Sequence, residues 1–341
     1  MSVAIAGASG YTGIELLRVL SLYREVNISQ ITSRQFAGKT LSEVFPVFLK
    51  NKYQDLIFQK ELDTEVAEYY FLALPHDASL ETVKVLLEKG KKVIDLSGAY
   101  RIKDKQMYPE FYGFEHIYPD VLDKAVYGLP EVFREEIKRA RIVANPGCYP
   151  TSVLLGLFPV ILEGVLEEET VIVNSLSGIS GAGRTPKQHF HYPEAYSDAY
   201  PYNLIKHRHT PEVEDVVFRF SGRKLYVRFT PHIIPVSRGM LSTITFKTSL
   251  NREKLRELYL IKYATEPFIR LLDSPPHIKS VIGSNYCDIY VDKDERTGAA
   301  VVCSAIDNLG KGASTQAIQN FNLMAGISED MYLSDISLLF P

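Results

Sequence analysis

Two segments carry residue types at spacings suited to covalent chemistry. The first is Asn145-Pro146-Gly147-Cys148-Tyr149-Pro150, which runs into an apolar helical stretch from Thr151 to Leu157. Pro150 suits a first helical turn, so Cys148 is expected within a residue or two of a helix start. There the backbone N–H groups and the helix dipole favour the thiolate over a thiol whose free pKa is about 8.5. The second segment, His207-Arg208-His209-Thr210-Pro211-Glu212, is expected to be one short loop. It offers imidazoles that titrate near neutrality and a guanidinium for phosphate or carboxylate. A nucleophilic sulfur, a proton carrier and a cationic anchor together suit acyl transfer through a thioester. His207 and His209 have no third ligand at sensible spacing, so no metal is expected. Without such neighbours, His76, His116, His189, His191, His232 and His277 read as structural, as do Cys287 and Cys303 within strand-like runs.

A third segment points to a nucleotide. Gly7-Ala8-Ser9-Gly10-Tyr11-Thr12-Gly13 lies between the first apolar run, Val3-Ala6, and the first helical pattern. Glycines there allow a tight turn and close backbone approach, and a helix start offers N–H groups to a pyrophosphate. A plain strand-turn-helix also uses glycines; the position at the first strand-helix junction favours binding. The second strand, Ile28-Ile31, ends in Thr32-Ser33-Arg34 with no acid at its tip. A hydroxyl beside a guanidinium suits the 2′-phosphate of NADP(H), which an acid would repel. With nicotinamide nearby, a thioester can be reduced by hydride to an aldehyde. Ser177-Gly178-Ile179-Ser180-Gly181-Ala182-Gly183-Arg184 is a second glycine-rich loop. Gly178 and Gly181 would let its backbone approach nicotinamide or substrate, although a surface turn has the same composition.

These groups need a scaffold. Up to residue 147, apolar runs at Ile28-Ile31, Phe71-Leu74, Val93-Leu96 and Ile142-Ala144 alternate with helical patterns such as Ile14 to Leu22 and Leu80 to Glu88. That alternation predicts an α/β domain, a doubly wound parallel sheet of Rossmann type. Polar turns after the strands, including Ser33-Arg34, Ser97 to Arg101 and Asn145 to Cys148, then fall on one ligand-binding rim. From about Thr170 the strand-like runs Val171-Val173, Leu225-Phe229, Ser242-Phe246, Tyr286-Val291 and Ala299-Ile306 follow each other with one clear helix, Asn251 to Tyr263. That texture predicts a second, α+β domain on a mostly antiparallel sheet. A last helix, Ala313 to Ala325, stops at Gly326. The expected domains are 1–147 with 310–341, and 148–309.

The 341 residues, 46% apolar and 23% charged, suit two globular domains. A net charge of −3 lacks the basic excess of a nucleic-acid binder. No apolar run is long enough for a membrane span. An N-terminus without a secretory pattern and only three cysteines predict a reducing, cytoplasmic setting.

Taken in order, the quoted segments, with Pro231-His232-Ile233-Ile234-Pro235, Arg238-Gly239 and Asp307-Asn308-Leu309-Gly310-Lys311-Gly312-Ala313, resemble the N-acetyl-γ-glutamyl-phosphate reductase family over the whole chain. That family is related to aspartate-semialdehyde dehydrogenase and more distantly to glyceraldehyde-3-phosphate dehydrogenase. The resemblance implies NADPH-dependent reduction of N-acetyl-γ-glutamyl phosphate to the semialdehyde in arginine biosynthesis. It implies Cys148 as nucleophile, a histidine of the His207/His209 pair as acid/base with His207 favoured, and Asn308 near the nicotinamide carboxamide. Candidate substrate contacts are Arg101, Asn145, Arg184 and Arg208; for Arg101 and Arg208 the reason is charge and rim position. Related enzymes imply a homodimer or homotetramer built through the second domain's sheet. Rival readings are a carrier-linked aminoadipyl or glutamyl phosphate reductase, which the loop Ser180 to Arg184 disfavours, a non-catalytic NADP-binding redox sensor, and a cysteine thioester hydrolase.

Overall fold

The computed structural model describes residues 1–334 and 336. The chain forms two compact units, one of Met1–Pro146 with Ala313–Asp335 and one built on Gly147–Gly312. The expected domain 310–341 runs in part over residues 335 and 337–341, which lie outside the described residues.

In the first unit, β1 (Ser2–Ala6), β2 (Asn27–Thr32), β3 (Phe58–Gln59), β4 (Tyr69–Leu72), β5 (Lys92–Asp95), β6 (Val126–Tyr127) and β7 (Ile142–Ala144) form one sheet. Its order is β3-β2-β1-β4-β5-β7-β6, and each pairing is parallel. The central strands are short and apolar because both faces are covered: Val3, Ala4 and Ile5 are wholly buried, as are Tyr70, Phe71 and Leu72. The strand order reverses between β1 and β4, the switch point at which open parallel sheets hold ligands. Helices α1 (Tyr11–Leu20), α2 (Leu41–Val44), α3 (His76–Glu88), α4 (Met107–Tyr112), α5 (Pro119–Lys124) and α6 (Pro130–Arg139) connect the strands. The helix Thr315–Ala325 closes this unit against α1 and α6, with the Phe321 ring against Tyr69 and Phe71. It stops at Gly326, whose φ of 71° only glycine adopts freely.

In the second unit, α7 (Cys148–Leu162) is apolar on all sides, and every residue from Tyr149 to Ile161 is buried. A helix of that kind must be surrounded. It packs on a sheet of β8 (Thr170–Gly178), β9 (Tyr200–Pro201), β10 (Tyr226–Ile234), β11 (Met240–Lys247), β12 (Ile269–Leu271), β13 (Cys287–Asp294) and β14 (Ala299–Ile306). The order is β12-β13-β14-β11-β8-β10-β9, antiparallel except at β8–β10 and β12–β13. Between helix and sheet, Ser152 Oγ donates to the Ser304 carbonyl (3.0 Å) and lies 2.9 Å from Ser242 Oγ, so the buried hydroxyls are satisfied. Burial alternates along β8 and β10, so one face takes the helices and the other leaves Ile172 and Tyr226 about half exposed.

Three more helices serve this unit: α8 (Tyr192–Ala195), α9 (His209–Ser221) and α10 (Arg252–Tyr263). The expected loop 207–212 is corrected by α9, since only His207 and Arg208 precede it. Pro211 stands in the first turn, where its missing N–H leaves no helical bond unmade, and Val213, Val216 and Val217 turn to the core. Among the described residues no helix is long and apolar enough to cross a membrane.

Candidate active site

Cys148 is the first residue of α7, with Gly147 as its N-cap. The Gly147 N–H donates to Glu212 Oε1 at 2.8 Å, and Glu212, on the first turn of α9, is fully buried. Two helix starts are thereby tied together, which brings the thiol segment and the histidine segment to one place. On another side, a Cβ added to Gly312 would lie 2.8 Å from the Cys148 Cβ, so the chain passes against the cysteine where only glycine fits. The thiol itself is half-buried.

The walls are aromatic. Tyr149 meets the rings of His207 and His209 edge-on at 5.7 and 5.8 Å, the two imidazoles lie 4.9 Å apart, and Phe229 packs on Tyr149 and His207. The Tyr202 hydroxyl donates to the Tyr149 hydroxyl at 3.2 Å. Burial raises both phenols, Tyr202 to about 12, and the nearby Cys148 charge adds to each. His207 Nδ1 accepts the backbone N–H of His209 at 3.2 Å, which puts the proton of the neutral ring on Nε2. Burial, helped by the Arg208 charge, lowers His207 to about 4, so this imidazole is neutral at pH 7. Arg208 and Arg184 are exposed.

Asn308 is held at both ends of its amide: Oδ1 accepts from the Gly239 N–H (2.6 Å) and Nδ2 donates to Ser180 Oγ (3.0 Å). Gly178 ends β8, and a Cβ there would lie 2.8 Å from the Arg238 Cα, so packing within the protein already requires this glycine. Gly181 sits exposed in the 3-10 turn that follows, with only ordinary contacts around the position of a Cβ.

In the first unit the turn 7–13 has the tight backbone and the helix start that suit a dinucleotide phosphate. Gly7 has a φ of 76° and no room for a side chain, since a Cβ would meet the Ala73 carbonyl oxygen at 2.2 Å. At Gly13 a Cβ would strike the Ala8 Cα at 2.5 Å, so the first turn of α1 lies flat on the loop. Gly10 caps α1 without a side-chain bond to its N–H groups, and Tyr11 and Thr12 follow. Ser9 Oγ lies 2.8 Å from Ser33 Oγ, which fixes the loop to the end of β2, while the next residue, Arg34, is exposed. These are the donors and the cation that a pyrophosphate and a 2′-phosphate call for.

Arg101 and Asn145 are also in this unit. Arg101 is buried, donating through Nε to the Asn145 carbonyl (2.7 Å) and through one terminal nitrogen to the Leu96 carbonyl (2.9 Å). The Asn145 side chain donates to the Ala313 carbonyl and accepts from Asn320 Nδ2. Both therefore shape the carboxyl-end rim through contacts of their own.

Residues 2–140 match the model for the semialdehyde dehydrogenase NAD binding domain, and residues 148–308 that for the semialdehyde dehydrogenase dimerisation domain. The N-acetyl-gamma-glutamyl-phosphate reductase of Aquifex aeolicus is 52% identical over 330 residues, covering 97% of this chain and 96% of that protein. The protein of the same name from Halothermothrix orenii is 46% identical, covering 99% of each. In fold, the chain is similar to aspartate semialdehyde dehydrogenase II of Vibrio cholerae (TM-score 0.74, 19% identity, 95% and 98% covered). It is also similar to the Candida albicans aspartate semialdehyde dehydrogenase solved with NADP (TM-score 0.68, 16% identity, 98% and 99% covered). On the strength of near full-length identity to such relatives, the chain belongs to the N-acetyl-gamma-glutamyl-phosphate reductase family.

Proposed function

We propose that the protein reduces N-acetyl-γ-glutamyl phosphate to N-acetylglutamate 5-semialdehyde and phosphate, with NADP(H) as the redox partner. The observation that carries this reading is a half-buried Cys148 at the first position of α7, whose neighbour Tyr149 packs on the paired imidazoles of His207 and His209. The helix start favours negative charge on the sulfur. The thiolate attacks the acyl carbon of the phosphoric anhydride; the new C–S bond forms and the C–O bond to phosphate breaks, giving a thioester and inorganic phosphate. The turn 7–13 with Ser33 and Arg34 would hold NADP(H), which would supply the hydride for reduction of the thioester. His209 gives a proton to the oxygen as it becomes negative and takes it back as the C–S bond breaks, so the aldehyde leaves and the thiolate is restored. His207 suits this proton-cycling role less well, because it is held neutral with Nδ1 occupied; its Nε2–H serves as a fixed donor. The exposed guanidiniums of Arg208 and Arg184 attract the anionic substrate, while Arg101 and Asn145 hold the rim in shape.

The open face of the second sheet, with Ile172 and Tyr226 exposed, supports self-association into a dimer or tetramer. Cysteines without a disulfide among the described residues support a cytoplasmic setting. The reaction is easiest to test backwards: N-acetylglutamate semialdehyde, phosphate and NADP+ should produce NADPH absorbance, and Cys148→Ala should abolish it. Turnover that survives this substitution would remove the covalent step.

A further inference from the structure

The reading of Cys148 as nucleophile leaves the Arg238–Asp307 ion pair unexplained. Asp307 follows β14, is fully buried, and takes four donors on its carboxylate. Oδ1 accepts from Arg238 Nε (3.1 Å) and the Leu309 N–H (3.0 Å). Oδ2 accepts from the Gly283 N–H (2.5 Å) and an Arg238 terminal nitrogen (2.6 Å). The Asp307 carbonyl accepts from the N–H groups of Gly310 (3.1 Å) and Gly312 (2.9 Å). One residue thus fixes the whole turn 307–312, and that turn ends in the glycine that touches Cys148.

Arg238 is the other half of the device. Its own turn is zipped to the loop after β8: the Gly178 N–H donates to the Gly239 carbonyl (2.9 Å) and the Ser180 N–H to the Ser237 carbonyl (3.0 Å). Asn308 adds the cross-link from Gly239 to Ser180. A buried carboxylate opposite a mostly buried guanidinium is poor value as mere stability, because apolar packing would hold the turn without the cost of removing two charges from water. What a two-point pair gives that apolar packing does not is fixed direction and register.

We propose that Arg238 and Asp307 are positioning residues for the Cys148 step, a forked ion pair that sets the 307–312 turn against the sulfur-bearing residue and holds Asn308 across the glycine loop. The inference rests on the thioester reading. A misplacement of about 1 Å at a reacting atom lowers a rate on the order of 100-fold. The loss should therefore fall on kcat and leave KM nearly unchanged, because the substrate-binding groups are untouched.

The test uses the whole protein with Arg238→Met, Arg238→Lys and Asp307→Asn, and two readouts. The first is the kcat and KM split for the acyl phosphate. The second needs no turnover: the rate and pH profile of Cys148 alkylation by iodoacetamide, followed at that peptide by mass spectrometry. Expected are a kcat lower by roughly 100-fold in Arg238→Met with KM within about threefold, partial recovery in Arg238→Lys, and a displaced alkylation profile in all three. Added guanidinium ion should restore part of the kcat of Arg238→Met. Normal kcat and an unmoved alkylation profile in a variant that merely melts earlier would show a scaffold role only and overturn the proposal. So would a raised KM at unchanged kcat, which makes Arg238 a substrate ligand, or full activity with lysine. If the wild type does not turn over the acyl phosphate at all, the reading of function fails, while the alkylation profiles still decide the positioning claim.

Discussion

His207 shows how one residue's surroundings choose its job. In water an imidazole is half-charged near pH 6.5; here burial and Arg208 lower it to about 4. The folded state therefore binds fewer protons than the unfolded chain between these two values, and stability must rise with pH across that window. The contribution is fully present above about 6.5 and lost as pH falls toward 4, amounting to about 3 kcal/mol at the acid end. His207→Asn keeps an acceptor for the His209 N–H and has no such titration. Thermal melts from pH 4 to 7 should accordingly show a flatter slope in the variant, and an unchanged slope would exclude His207 as the cause. His116, another buried imidazole lowered to about 4, adds the same sign of dependence in both proteins and cancels in the comparison. At the same scale, Glu212 is the residue that sequence reasoning missed. Its segment stands out for its histidines, but nothing in the spacing says that a carboxyl group there will be fully buried against the Gly147 N–H. Glu212→Ala should cost about 2 kcal/mol, because it leaves a buried donor without its partner; chemical denaturation measures it. Tyr149 and Tyr202 were missed for a like reason, since their hydroxyls meet only once α7 and the segment after β9 are folded.

At the scale of elements, local rules served best where the chain punctuates itself. The turn 7–13 was legible because glycine there answers to sterics on both sides, the Ala73 carbonyl at one end and Ala8 at the other. Gly13→Ala should lift α1 off that turn. The expected outcome is a loss of about 1–3 kcal/mol from overpacking together with weaker NADPH binding, read by quenching of nicotinamide fluorescence; unaltered binding would detach the turn from the cofactor. The start of α7 was legible through Pro150 and the apolar run behind it. Elsewhere the same residue type misled. The segment 207–212 reads as a loop, yet Pro211 lies in the first turn of α9, and β-branched Val213, Val216 and Val217 carry no clear helical propensity. Proline also opens α5 and α6, short helices absent from the sequence reading, and α3 begins at His76, four residues before the expected Leu80. Short helices draw their stability from packing, which one-dimensional pattern does not display.

For the molecule as a whole, the two textures of the sequence, strands alternating with helices and then strands in succession, correspond to a wholly parallel sheet and a mostly antiparallel one. That contrast was visible because the central parallel strands are short and apolar, whereas β8 and β10 alternate. The alternation leaves Ile172 and Tyr226 on an open face, and it sets a prediction for assembly. Ile172→Lys should shift the mass in sedimentation equilibrium toward the single chain, while an unshifted mass would move the contact to another surface. Helix α7 has a further consequence, for synthesis on the ribosome. It is apolar around its whole circumference and emerges early, yet the strands it rests on, β11 and β14, end at Lys247 and Ile306. A nascent chain must carry this apolar rod, with the sheet beneath it incomplete, through the making of well over a hundred further residues, a natural client for chaperones. A chain halted at residue 250 should remain open to protease along 148–162, and cells short of folding helpers should lose this enzyme as aggregate before they lose its catalytic competence.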